Sequence, residues 1–180
     1  MSDRATFATE RLAIEPLALA HADGLFAALA DEAVHRYLPQ PEVTTREALH
    51  ARIEHLMAGP PRPGERWWNF AVALRAERTL VGRVEATTYG DWGEIAYVFG
   101  PRWWGAGLAS EAARWLVEHL AAHGIAELWG AVHPANRPSQ RLLGRIGFSP
   151  VSEPGRPLAS FDAGDVVFVR RPQGSPRHGP

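Results

Sequence analysis

Arg102-Trp103-Trp104-Gly105-Ala106-Gly107-Leu108-Ala109-Ser110-Glu111-Ala112 is the stretch on which the reading of the fold turns. Before it stands Glu94 to Phe99, rich in β-formers; after it Leu108, Ala112, Trp115, Leu116 and Leu120 form an apolar stripe of helical period that ends at Gly124. Two glycines at a strand-to-helix junction let the backbone turn sharply and approach a ligand closely. The first N–H groups of a helix lack internal partners, and the dipole adds positive character, so a phosphate is the natural occupant. Two phosphate motifs are set aside by the residues. A dinucleotide fingerprint needs a third glycine where Ser110 stands, and an acidic residue ending the next strand, where His133 stands. A P-loop needs Gly-Lys-Ser/Thr, and the chain contains no lysine.

Outward from this turn the chain reads as a mixed α/β domain. Upstream, Trp68 to Leu74, Thr79 to Thr88 and Glu94 to Phe99 predict an antiparallel meander, with turn chemistry in Tyr89-Gly90-Asp91-Trp92-Gly93. Earlier still, Arg11 to Leu17 predicts a strand and His21 to Asp31 a helix. A second helix is expected with Thr44 as its cap, Glu47 three residues on, and an end near Gly59. Downstream, Leu128 to Val132 predicts a short buried strand and Asn136 a cap for a helix to about Ile146. Phe148 to Val151 and Gly164 to Arg170 complete the strands. Residues 1–170 are expected to form one domain, with 171–180 a disordered tail.

Composition narrows the class. The 180 residues carry a formal charge of -1, which gives no field to hold nucleic acid or an anionic membrane. Cysteine is absent, so disulfides, thiolate metal sites and cysteine nucleophiles are excluded. No apolar run reaches the roughly 20 residues of a membrane helix, and no signal peptide precedes the domain, so a cytoplasmic location is expected. His119 and His123 stand four apart on one helix, yet no glutamate follows His119 and no thiol is at hand; no metal is expected.

The pattern Arg-x-x-Gly-x-Gly, with Glu94-Ile95-Ala96-Tyr97-Val98-Phe99 before it and Ala131 to Ser139 and Gly147-Phe148 after it, resembles the GNAT (Gcn5-related N-acetyltransferase) superfamily. Trp104-Gly105 with Glu111-Ala112, Asn136-x-x-Ser139 ahead of Gly147-Phe148, Arg36-Tyr37-Leu38-Pro39 and Val81-Gly82-Arg83-Val84 are similar to the branch holding the ribosomal-protein N-terminal acetyltransferases. The resemblance implies the acyl-CoA N-acyltransferase fold, a mostly antiparallel sheet flanked by helices and splayed where Glu94–Phe99 meets Leu128–Val132. It implies acetyl-coenzyme A as co-substrate, its pyrophosphate held at Arg102, Gly105, Ala106, Gly107, Leu108 and Ala109, and its pantetheine paired with backbone at Val98, Phe99 and Gly100 and touched by Asn136. Homodimers are common in that family, and the sequence carries no interface signal.

Aminolysis of a thioester needs a neutral amine, correct placement and stabilisation of charge, but no covalent enzyme intermediate. Glu94 is the leading candidate base and Glu85 the second; strand alternation puts Glu85 on one face with Val81, Arg83 and Thr87, where it also reads as a solvated strand residue. Ser139 or water is the candidate donor to the departing thiolate, because Leu143 stands where many relatives carry a tyrosine acid; Ser139 also reads as a plain first-turn serine. Tyr37, Trp67, Trp68 and Trp92 are candidates for the acceptor pocket, where aromatic faces suit an amine. Trp103, Trp115 and Trp129 read as core. The acceptor, an amine-bearing small molecule or a peptide N-terminus, stays open. A non-catalytic acyl-coenzyme A sensor is the alternative: it would keep the phosphate turn and need no base.

Overall fold

The computed structural model describes residues 6–38 and 45–172. Its strands are β1 (Phe7–Ala8), β2 (Leu12–Pro16), β3 (Glu65–Leu74), β4 (Leu80–Tyr89), β5 (Trp92–Phe99), β6 (Glu127–Val132), β7 (Ser149–Val151) and β8 (Val166–Arg170). Its helices are α1 (Ala22–Leu29), α2 (Glu32–His35), α3 (Arg46–Ala58), α4 (Leu108–Ala122) and α5 (Arg137–Arg145). The eight strands form one sheet in the order β1-β2-β3-β4-β5-β6-β8-β7. The meander β3-β4-β5 is antiparallel, as the turn residues predict, and Gly90 takes φ 66° in the tight turn that brings Tyr89 opposite Trp92.

Helices cover the two faces of the sheet. Leu116 and Leu120 of α4, both fully buried, pack with Val72, Val84 and Ile95, while Leu25 and Leu29 of α1 and Ile53 of α3 pack on Ala71 and Val98. No described helix is long and apolar enough to cross a membrane.

The one parallel pair matters most. β5 and β6 are in register at Trp92 with Glu127, Gly93 with Leu128 and Glu94 with Trp129, and there the pairing stops. From Ile95 onward the strands diverge, as the family resemblance implies. Helix α5 stands over the opening: Leu143 lies so close to Gly130 that a Cβ there would meet its Cδ1 at 3.3 Å, and the Tyr97 hydroxyl reaches Ser139 in its first turn.

Several details depart from the sequence reading. β1 was not foreseen, since two residues give no periodic signal. The cap of α3 is Thr45, whose hydroxyl accepts from the Ala48 N–H at 3.1 Å; Thr44 and Pro39 lie outside the described residues. The alternation of β4 breaks at Val81. There the register jumps from Val72–Gly82 to Ala73–Leu80, a bulge that lets Val81 share the α4-side core with Val84 rather than the Arg83 face. The last strand begins at Val166, and Arg171 is still anchored, its Nε 2.7 Å from Glu127.

Truncating Leu116 removes a fully buried side chain that the stiff sheet cannot replace. Leu116→Ala is expected to cost about 2–5 kcal/mol. Urea denaturation should show a lower midpoint at unchanged slope.

Candidate active site

Where β5 leaves β6, a cavity of about 450 Å³ opens, walled by β5, the turn before α4, and α5. Gly107 caps α4 in the left-handed region at φ 79° and Gly105 sits at φ 75°, conformations that other residues rarely adopt. Gly105, Gly107, Ala109 and Ser110 all border the cavity. The turn is braced from below. Glu111 accepts from the Thr9 hydroxyl at 2.5 Å, the Arg11 N–H at 2.8 Å and Arg11 Nε at 2.7 Å, while Arg11 Nη1 donates to the Ala106 carbonyl at 2.8 Å. Burial alone would raise the Glu111 pKa; these donors and the Arg11 charge outweigh it and hold the carboxyl below its ordinary value.

Across the cavity α5 contributes Arg141 and Arg145, one turn apart, as a cationic wall suited to a polyphosphate. The arginines at 137, 141 and 145 announce this face by their four-residue spacing, a signal the sequence reading passed over. Asn136 caps α5 by accepting from the Ser139 N–H at 3.2 Å, as expected of it.

The edge of β5 that faces the cavity differs from the residues first named. Phe99 and Gly82 are opposite, and the Gly100 N–H donates to Val81 O at 3.0 Å, so the polar backbone of Val98 and Gly100 is turned to β4. It is Tyr97 and Phe99 that turn theirs to the opening, and the Phe99 carbonyl accepts from Trp104 Nε1 at 2.7 Å. Gly100 is needed for closeness: a Cβ would come 2.2 Å from Ala28 O and 2.7 Å from the Trp103 ring. Trp103, read as core, also lines the cavity. Arg102 lies with its guanidinium 5.8 Å from the Trp103 ring centre, and Leu108 is buried beneath the turn. Tyr97, which the sequence reading did not single out, places its hydroxyl 2.7 Å from Ser139 Oγ; burial pushes its pKa up to about 12.

The remaining candidates separate by face. Glu85, Thr87 and Glu94 share the face of the sheet away from α4, because Thr87 is opposite Glu94 and Glu85 is two residues along. Glu94 is buried, and its carboxylate takes the Ala159 N–H at 2.8 Å, the Ser160 N–H at 3.1 Å and the Ser160 hydroxyl at 2.7 Å. Glu85 pairs with the buried Arg83 through Oε2, and its Oε1 has no hydrogen bond among the described residues. Trp67 lies on this face, its indole donating to Glu65 at 2.6 Å and its ring packed on His55. Trp68 does not join it. Alternation turns Trp68 to the α4 side, where it is 6% exposed, donates to Thr88 Oγ1 at 3.0 Å and meets His119 and His123 edge-on. Trp92 stacks on Tyr89 at the hairpin, and Tyr37 packs on His133 at the cavity rim. No group of three or more metal-ligating side chains occurs among the described residues.

Glu111 supplies a test of the brace. Its lowered pKa means that its contribution to stability is present above the ordinary carboxylate value of 4.5 and is lost as pH falls through the lower folded value. Glu111→Gln should therefore flatten the acid limb of a thermal-stability profile. Steady-state kinetics should show KM for the phosphate-bearing substrate raised about tenfold with kcat little changed, the pattern of lost uniform binding.

Known proteins share this fold. No curated protein matches the chain. Among solved structures, a GNAT-family acetyltransferase from Bacillus anthracis is 23% identical, covering 93% of this chain and 98% of its own, with a TM-score of 0.76. A ribosomal-protein-S5-alanine acetyltransferase from Vibrio fischeri is 17% identical over 94% of this chain and 98% of its own, TM-score 0.73. A ribosomal L7/L12 α-N-protein acetyltransferase in complex with coenzyme A is 16% identical over 93% and 98%, TM-score 0.75. At such identities the likeness establishes the fold. The family itself is established by sequence: residues 11–149 match the acetyltransferase (GNAT) domain, so the chain belongs to the GNAT acetyltransferase family.

Proposed function

We propose that this acetyl-coenzyme A-dependent N-acetyltransferase carries the acetyl group to a primary amine, on a peptide N-terminus or a small molecule, by direct attack within a ternary complex. The observation that carries the reading is the cavity where β5 parts from β6, with a left-handed glycine turn at one end and the Tyr97–Ser139 hydroxyl pair at the other. Acetyl-coenzyme A supplies the activated acyl group. The residues present fit it. Amides at the start of α4, with Arg141 and Arg145 opposite, suit a diphosphate, and the edge at Tyr97 and Phe99, apart from the Phe99 carbonyl that the Trp104 indole holds, suits an amide-bearing chain. The ribosomal-protein acetyltransferases among its structural neighbours support a peptide N-terminus as the acceptor. Absence of a membrane-crossing helix among the described residues is consistent with a cytoplasmic enzyme.

The acceptor approaches from the face that carries Glu85, Thr87, Glu94 and Trp67. An incoming ammonium must lose a proton before its lone pair is available. The hydrogen bonds around the two carboxylates favour Glu85 over Glu94 as the base. Glu94 already takes three donors from residues 159–160, which leaves one of its about four acceptor sites, whereas among the described residues Glu85 takes only the Arg83 donor and its Oε1 takes none. Glu85 is thus the base, directly or through water, and Glu94 ties the 152–165 loop into the acceptor wall. Ser139, in the first turn of α5 at the other end, faces the departing sulfur.

The experiment is thiol release from acetyl-coenzyme A with a panel of amines and short peptides. Turnover with at least one amine is expected; tight coenzyme binding with no acceptor acetylated would favour a sensor. With the best acceptor, Glu85→Gln should lower kcat by about 10²–10⁴-fold and remove the acid limb of the pH–rate profile. Glu94→Gln should lower thermal stability with a smaller loss of turnover, and the reverse ranking would return the base to Glu94.

A further inference from the structure

Tyr97 is half-buried at the acyl end of the cavity, and the mechanism above has no use for its hydroxyl. It projects from β5 toward α5, with its oxygen 2.7 Å from Ser139 Oγ and 3.3 Å from the Ser139 carbonyl. The pair can be polarised in two ways. If Ser139 donates, the Tyr97 hydrogen turns either to the Ser139 carbonyl, over the longer and weaker of the two contacts, or into the cavity, and the serine has no hydrogen left for a ligand. If Tyr97 donates to Ser139 Oγ, over the shorter contact, the serine hydrogen is left to point into the cavity that both residues line.

Resting on the acetyl-transfer reading above, we propose that Tyr97 is a positioning residue. Its hydroxyl donates to Ser139 Oγ and so aims the Ser139 hydroxyl hydrogen at the departing sulfur, which leaves as a hydrogen-bonded thiolate that the enzyme does not protonate. In this step the amine nitrogen forms its bond to the acetyl carbon and the carbon–sulfur bond breaks, its electron pair going to sulfur. Nitrogen gives up two protons, one before attack and one as the amide forms, and both leave by the carboxylate side of the sheet to solvent; Tyr97 and Ser139 keep theirs.

Acidity decides against proton transfer from this pair. A thiol has a pKa of about 8.5. Burial holds the Tyr97 phenol at about 12, so giving its proton to the thiolate is uphill by more than three orders of magnitude. At neutral pH a thiolate leaving group gains more from a donor already aimed at it than from a proton moved against that gradient. Position 143, one turn along α5 from Ser139, is a leucine packed on Gly130, so no second hydroxyl from that turn competes for the sulfur.

The signature is a lowered thiol pKa for bound free coenzyme A, read without any acceptor amine. Coenzyme A affinity is measured by calorimetry from about pH 6 to 9, with acetyl-coenzyme A, which has no thiol, as the reference at each pH. The other ionisable groups facing the cavity are Arg141 and Arg145 from α5 and Tyr37 beside His133, and the acetyl-coenzyme A reference at each pH cancels whatever they contribute equally to both ligands. In the wild-type protein the affinity ratio of coenzyme A to acetyl-coenzyme A should rise about tenfold or more as pH increases toward the solution pKa of the thiol. Ser139→Ala should abolish the rise, Tyr97→Phe should reduce it severalfold, and the double variant should match Ser139→Ala alone. Acetyl-coenzyme A affinity reports whether Tyr97→Phe keeps its fold. A flat ratio in the wild type, an unchanged rise in Tyr97→Phe, or a Tyr97→Phe effect that persists without Ser139 overturns the proposal. Failure to bind either form of the coenzyme overturns the acetyl-transfer reading beneath it.

Discussion

A parallel strand pair that ends after three residues is the constraint from which the rest of the site follows. Backbone N–H and C=O groups left in the interior must find partners. By releasing β6 at Ile95, β5 exposes the polar edge of Tyr97 and Phe99 in the middle of an otherwise closed sheet. The Trp104 indole takes the Phe99 carbonyl, and α5 stands over the gap with Leu143 on Gly130 and Ser139 on Tyr97. At the closed end Trp129 is held under Gly155, with its indole on Glu127 at 2.9 Å. The strands are therefore clamped at one end and wedged at the other. The opening is part of the packed state and requires no later distortion to receive a ligand.

The second requirement is a rigid turn at the mouth of that gap. Left-handed glycines make the turn possible but do not by themselves fix it. Fixing comes from the other end of the chain: Thr9 and Arg11 reach across about a hundred residues of sequence to Glu111, and Arg11 also holds the Ala106 carbonyl. Half of this network lies at solvent, where a single ion pair contributes little; its strength lies in several donors converging on one partly buried carboxylate.

Much of this was legible in the residues, for physical reasons that differ from part to part. The meander, α4 and α5 follow from periodicity, glycine placement and the Asn136 cap, all local signals. The glycine turn was legible because its chemistry is carried by a contiguous segment. Val81 misled because a bulge shifts alternation by one residue and leaves no mark in composition. Trp68 misled because adjacent tryptophans on a strand must face opposite ways, and only the register tells which one faces the helix. Tyr97 went unremarked because its partner Ser139 is some forty residues distant in sequence and meets it only across the gap, whereas the arginines of α5 carried a local signal in their four-residue spacing. Glu94 was identified by position, but its three donors come from residues 159–160, a loop whose path no local pattern specifies.

The loop from 152 to 165 reaches the sheet through a few tethers: Gly155 on Trp129, Arg156 on Glu127 and Trp92, and the amides of 159 and 160 on Glu94. None of these touches the glycine turn or the hydroxyl pair. Sequence change between these anchor points can therefore reshape the wall beside Glu94 while the glycine turn and the hydroxyl pair stay as they are.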